Sequence, residues 1–270
     1  MKKLLTLLLL IPLFVCGQYP YIYNREALMY DGKILREHPF YPTDIAGCII
    51  WYDASDFTTI AKDGANKVSA WKNKGTYVTT ATQVTGSMQP TYSKNQINGL
   101  PALYFNGNNS LEMSPYYTIP KTNPYTFFVV CRVSDTTLNS LYAILGEYSS
   151  VLISRISASP YNSQSALIRN QPTNNDFVHI GNPTNYFIGS FTTTHYYPNT
   201  TYYKDGEVKP DIHSESSGTP NNFGCRWIGR RLSSAAYFKG YIAEIIIYTS
   251  ILSTDNMKRV HKYLKKKYIL

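Results

Sequence analysis

Short runs of β-forming residues recur along most of this chain, and tight turn dipeptides separate them. The runs are Cys48–Tyr52, Lys67–Trp71, Ala102–Phe105, Thr126–Val133, Leu141–Leu145, Val151–Ile156, Ala166–Ile168, Tyr186–Thr193, Thr200–Tyr203, Arg226–Ile228 and Tyr241–Tyr248. They are dense in Val, Ile, Tyr, Phe and Thr, whose branched or aromatic side chains suit a pleated surface. Asp63-Gly64, Asn98-Gly99, Asn106-Gly107 and Asp205-Gly206 supply the positive-φ residues that tight hairpin turns need. Strands without intervening helices predict an all-β fold of two packed antiparallel sheets. With 270 residues the chain is long enough to bury a large core in a single sandwich domain, placed at 45–270.

The helical pattern comes only at the end. Ser253 is a capping residue, and Met257, Val260, Leu264 and Tyr268 follow at i, i+3, i+7 and i+11, which predicts a C-terminal α-helix with one apolar face. This segment also explains the formal net charge of +9. Residues 18–225 carry 14 basic and 15 acidic side chains, whereas residues 226–270 carry 10 and 2. Nucleic-acid binding requires Lys and Arg spread along a groove or patch. A near-neutral body with one basic end argues against it. The helix lysines are expected to be a solvated face, favoured near the helix C-terminus by the backbone dipole.

The first residues pair Lys2 and Lys3 with an apolar run from Leu4 to Val15. That run is too short to span a bilayer, which takes about 20 residues. It has the form of a secretory signal peptide, residues 1–17, with cleavage after Gly17 in the small-x-small stretch Val15-Cys16-Gly17. Lipid modification at Cys16 is the competing reading, disfavoured by Val15 where a small residue normally stands. The mature chain is therefore expected to be secreted or held at the cell envelope, with no transmembrane segment. Residues 18–44, rich in Tyr and Pro, form an N-terminal extension. Cys48, Cys131 and Cys225 remain after cleavage; two lie in apolar strand runs, where free Cys acts as a small hydrophobe. No disulfide framework is expected.

Several spaced segments carry a family resemblance. Trp51-Tyr52-Asp53-Ala54-Ser55-Asp56 follows Ile45-Ala46-Gly47-Cys48-Ile49-Ile50, and Val68-Ser69-Ala70-Trp71-Lys72-Asn73-Lys74-Gly75 comes next. Then come Gln89-Pro90-Thr91-Tyr92, Ile97 to Gly107, and Gly240-Tyr241-Ile242-Ala243-Glu244-Ile245-Ile246-Ile247-Tyr248 before the terminal helix. In this order they resemble the laminin-G-like branch of the concanavalin A-like lectin/glucanase superfamily, over about residues 44–270. The resemblance implies a two-sheet antiparallel jelly-roll sandwich whose first and last strands are neighbours. Such folds host glycan-binding modules, glycosidases, adhesion domains and spacers, so function has to come from a site.

Catalysis finds little support in the residue pattern. A retaining glycosidase needs two carboxylates ~5 Å apart, and the Glu-x-Asp-x-Glu type of strand found in the related glucanases is missing. Glu244 stands alone in its strand, and Asp53 and Asp56 are expected in the turn that follows theirs. No Gly-x-Ser-x-Gly elbow, Gly-rich phosphate loop or metal-spaced histidine set occurs. Asp53, Asp56 and Asp63 are the nearest approach to a calcium cluster, without the repeated spacing of a calcium loop. No metal and no cofactor are assigned.

Tyrosine is the outlying feature, 25 residues against 11 Phe and 3 Trp. A tyrosine offers an apolar ring face to sugar C–H groups and a hydroxyl for hydrogen bonding. Tyr116, Tyr117, Tyr161, Tyr186, Tyr196 and Tyr197 fall in loops or at strand ends and are the candidate ligand contacts; Trp51 and Trp71 are expected in the core. The leading expectation is an exported, non-catalytic module that binds carbohydrate or a surface glycan. A structural or adhesion component of a cell envelope or virion, acting through protein contacts, is the alternative, because tyrosine is also enriched at interfaces. A glycoside hydrolase or lyase comes last.

Overall fold

The central strand of the molecule, Lys239–Tyr248, is apolar on both faces, and the architecture follows from what covers each. The computed structural model describes residues 39–134, 143–147, 184–194, 200–209, 222–231 and 237–270 with their side chains. For 29–30, 33–34, 141–142, 150–156, 164–170, 175–181 and 213–215 it describes the backbone. Phe40–Leu270 form one compact unit. Within Met1–Pro39, the backbone described is a two-residue ladder pairing Met29 with Ile34 and Tyr30 with Lys33.

Two antiparallel sheets make the body. In the eight-stranded sheet the order is Glu207–Lys209, Thr200–Lys204, Phe187–Thr193, Tyr125–Val133, Lys239–Tyr248, Leu100–Asn106 and Thr91–Ile97. Cys48–Asp53 joins the same edge of the central strand, so the first and last long strands are neighbours. The ten-stranded sheet runs from His213–Glu215 through Asn175–Gly181, Gln164–Asn170, Ser150–Ile156, Leu141–Gly146, Phe223–Ile228, Leu111–Ile119, Thr80–Thr82 and Val68–Lys72 to Ile60–Lys62. Strand alternation sends Phe127, Val129, Ile245 and Ile247 into the inter-sheet core with Trp71, Phe105 and Phe191.

The opposite face of the eight-stranded sheet is covered by the terminal helix, Thr254–Tyr268. Phe128, Val130, Ile246 and Tyr248 meet Met257, Val260, Leu264 and Tyr268 in a second core. Ser253 caps the helix by accepting the Asn256 N–H at 3.3 Å. Each buried aliphatic side chain here contributes roughly 1.5–3 kcal/mol. The basic stripe of Lys258, Arg259, Lys262 and Lys266 points to solvent. Among the described residues no helix is long and apolar enough to cross a membrane.

Trp51 and Trp71 are buried, as their runs predict. Cys48 lies in the helix-side core, and Cys131 and Cys225 lie in the inter-sheet core, all as free thiols. Burial pushes the Cys48 thiol up to about 12, so it stays protonated and inert at neutral pH. Three longer strands, Thr91–Ile97, Leu111–Ile119 and Asn175–Gly181, fall outside the runs read from the sequence. Leu111–Ile119 contains Pro115, which argues against a strand, yet it pairs along Phe223–Ile228. The register skips from Glu112 to Tyr117 opposite Trp227 and Cys225, and this bulge takes the proline out of the ladder.

Candidate functional site

Two charge clusters stand out, one on each side of the sandwich. The first is on the outer face of the ten-stranded sheet. Leu111 and Met113 point into the core, so Glu112 between them points out, and Trp227 lies opposite it in the ladder. The guanidinium of Arg226 donates from Nε and Nη2 to Glu112 Oε1, both at 2.8 Å, and from Nη1 to Glu147 Oε1 at 3.3 Å. It also lies 4.3 Å from the Trp227 ring and 5.3 Å from the ring of Tyr116. Arg230 sits 4.8 Å from Trp227 and 5.5 Å from Tyr237. A Cβ at Gly224 would come within 2.5 Å of Glu147 Oε2, so glycine there gives the carboxylate room to reach Arg226.

Trp227 is only 6 % exposed and forms the floor of this cluster, whereas Tyr116 is 38 % exposed and presents its ring. Tyr117 is half-buried, edge-on to Tyr77 at 5.0 Å, and Tyr77 donates its hydroxyl to the Tyr116 carbonyl at 3.2 Å. Tyr186 belongs elsewhere. It packs at the rim of the helix-side core, with the Arg132 guanidinium 5.3 Å from its ring and 4.2 Å from that of Tyr241. Burial pushes its hydroxyl up to about 12, against the opposing pull of Arg132. Tyr161, Tyr196 and Tyr197 lie outside the described residues. The structure thus separates Tyr116 and Tyr117 from Tyr186 and adds Arg226, Glu112, Glu147 and Trp227. The Arg226–Glu112 pair is 114 positions apart in sequence, and no local pattern announces it.

The second cluster lies beneath the terminal helix. Glu244 does not stand alone: Asp53 is its direct cross-strand partner. Lys267 of the helix places its Nζ 2.7 Å from Asp53 Oδ1 and 2.7 Å from Glu244 Oε2. Trp51 Nε1 donates to Glu244 Oε1 at 2.6 Å, the Tyr263 hydroxyl donates to the same oxygen at 2.9 Å, and the Tyr268 hydroxyl donates to Oε2 at 2.8 Å. A sequence signal existed, since Lys267 falls three positions after Leu264 and seven after Val260, on the apolar face of the helix.

The motif residues build the other wall. Lys74 N–H donates to the Trp51 carbonyl at 2.9 Å, and the Asn73 amide takes both the Trp51 N–H and the Ile49 carbonyl, sealing the free edge of the first strand. A Cβ at Gly75 would fall 2.4 Å from the Ile49 carbonyl oxygen, so this approach requires glycine. It brings Lys74 Nζ to 3.1 Å from Asp53 and 2.9 Å from Asp56. Two ammonium groups therefore occupy the space around Asp53 where a calcium ion would have to bind. Among the described residues, no group of three His, Cys, Asp or Glu is placed to hold a metal.

Burial alone would raise the Asp53 carboxyl, but Lys267 and Lys74 hold it below the usual carboxylate range. Burial dominates at Glu244 and pushes it up against the pull of Lys267, and the neighbouring Asp53 charge adds to the rise. A 250 Å³ depression between Asp44–Ala46 and Ser250–Ser253 lies apart from both clusters.

No protein-family model and no curated protein sequence matches this chain. Similar solved structures include domain 4 of AbnA, a GH43 extracellular arabinanase from Geobacillus stearothermophilus, in complex with arabinotriose. It shares 14 % identity over 79 % of this chain and 98 % of that domain, with a TM-score of 0.45. Trypanosoma rangeli sialidase in complex with the inhibitor DANA is another, at 11 % identity over 81 % of this chain and a TM-score of 0.48; the match spans 33 % of the sialidase. The binding domain of botulinum neurotoxin DC in complex with SialylT matches at 11 % identity over 81 % of this chain and 52 % of its own length, with a TM-score of 0.43.

Proposed function

We propose that this protein is an exported, non-catalytic carbohydrate-binding module on a laminin-G-like sandwich. The observation that carries this reading is the outer face of the ten-stranded sheet, where the exposed Tyr116 ring stands beside Arg226, Glu112 and Glu147. Arg226 engages Oε1 of each carboxylate, which leaves Oε2 of the more exposed Glu112 as an acceptor for a sugar hydroxyl. The Tyr116 ring supplies the apolar surface for the sugar C–H face. On this exposed face the carboxylate pair clamps Arg226, which supports binding over acid–base chemistry on a ligand there. The lysine-led apolar leader at 1–17 supports export.

A glycan array probed with the mature chain tests this reading. The expected result is selective binding that falls about tenfold in Tyr116→Ala and Arg226→Ala, with unchanged thermal midpoints. Silence across neutral and acidic glycans overturns it. Release of reducing ends from any glycan bound would overturn the non-catalytic part.

A further inference from the structure

The cluster beneath the helix holds a lysine amine against a carboxyl group, with a second carboxyl beside both, in a site nearly closed to water. The side chains of Lys267, Asp53 and Glu244 are 15 %, 4 % and 1 % exposed. The rings of Tyr263 and Tyr268 lie 5.4 and 5.1 Å from Lys267 Nζ, and the Trp51 indole donates to Glu244. We propose that Lys267 and Asp53 condense to an intramolecular isopeptide bond, with Glu244 as the proton carrier.

The step balances without an added reactant. One proton leaves the Lys267 ammonium through Glu244, converting the ion pair to a neutral amine and a neutral Asp53 acid. The neutral pair is the minor form: burial penalises both charges, but Lys267, Lys74 and Ser55 together favour the ionised Asp53. The amine lone pair then attacks Asp53 Cγ. The developing negative charge on Oδ2 faces the Lys74 ammonium at 3.1 Å, which acts as an oxyanion stabiliser. Glu244 takes the second amine proton and delivers it to the departing Oδ1 hydroxyl. The Nζ–Cγ bond forms, the Cγ–Oδ1 bond breaks, one water leaves, and Glu244 ends in its starting state.

Three features of the site favour this outcome. Its contact distance of 2.7 Å holds the reactants together as a single unimolecular pair. The buried Glu244 carboxyl, which burial pushes up, lies 2.7 Å from the amine whose proton it takes. Exclusion of water disfavours hydrolysis of the amide once formed. The bond would join positions 214 apart and staple the terminal helix to the first strand. Such a cross-link restricts the unfolded chain as a disulfide does, in a molecule whose described cysteines are buried free thiols.

Mass spectrometry of the purified, denatured full chain decides the matter. The expected results are an intact mass short by one water and, after proteolysis, a branched peptide joining the segments around Asp53 and Lys267. Lys267→Arg keeps the cation, lacks a nucleophilic primary amine, and is expected to restore the full mass. A wild-type digest containing only linear peptides for both segments overturns the proposal, whatever the variants do. So does the same mass deficit in Lys267→Arg.

Discussion

Among the described residues, cations are held between pairs of carboxylates in two opposite surroundings. Arg226 lies between Glu112 and Glu147 on an open sheet face, with side-chain exposures of 31 %, 45 % and 13 %. Lys267 lies between Asp53 and Glu244 under the helix and is nearly dry. In water, Coulomb attraction at this range is ~1 kcal/mol and salt screens it. Under the helix, removing Lys267 would strand Glu244 in a medium that cannot solvate its charge and leave Asp53 to Lys74 alone. The open cluster thus contributes little to holding the fold, whereas the closed one is committed to it.

The sharpest break in this comparison is the same deletion made twice. Lys267→Met is expected to cost about 3–5 kcal/mol or more, since it leaves buried Glu244 without a cation and Asp53 with Lys74 alone, and removes the proposed cross-link; urea denaturation measures it. A result within ~1 kcal/mol of wild type would mean that the buried cluster contributes no more than a surface pair.

Acid provides the next largest contrast. His261 sits on the buried side of the helix, its Nε2 2.9 Å from Ser190 Oγ, and burial, with Lys265 nearby, lowers its pKa from 6.5 to about 4. Between those values the unfolded chain binds the proton and the folded one does not. Stability is therefore full above pH 6.5 and falls as the pH drops toward 4, by about 3 kcal/mol. Thermal midpoints across this range should decline in wild type and flatten in His261→Gln. Equal decline in both would assign the effect to other groups.

Gly224→Ala comes third. Its Cβ would meet both Oε2 and Cβ of Glu147, so the carboxylate must withdraw from Arg226. A loss of about 1 kcal/mol is expected, with weaker glycan binding on the array. Arg226→Met should change stability least, within ~1 kcal/mol, and 1 M NaCl should reduce even that difference. A loss above ~2 kcal/mol would show that this cluster too is effectively buried.

How far the chain alone reveals this arrangement depends on the range of each interaction. The strand runs from Cys48 to Tyr248 were legible because alternation and turn dipeptides are local signals. Leu111–Ile119 was hidden by Pro115, whose place in a bulge depends on the neighbouring strand. Ile60–Lys62, Thr80–Thr82 and Glu207–Lys209 are three residues each, too short for a period to register. Of the candidate tyrosines, Tyr116 and Tyr117 lie within the strand Leu111–Ile119 rather than in a loop or at a strand end, with Tyr116 exposed, while Tyr186 is drawn into the helix-side rim by Arg132 and Tyr241. Simple alternation cannot place Trp227, because the register shift between Cys225 and Trp227 decides that it faces outward with Glu112.

By itself the sequence determined the β-sandwich class, the capped terminal helix and the separation of a near-neutral body from a basic end. Each of these is set by residues within a few positions of one another. Only the tertiary structure decided that Asp53, Glu244 and Lys267 converge and that Glu112, Glu147 and Arg226 do. Those meetings depend on strand register, on which face of the sheet the helix covers, and on a bulge. A one-residue slip in any ladder would turn the same carboxylates to the opposite face.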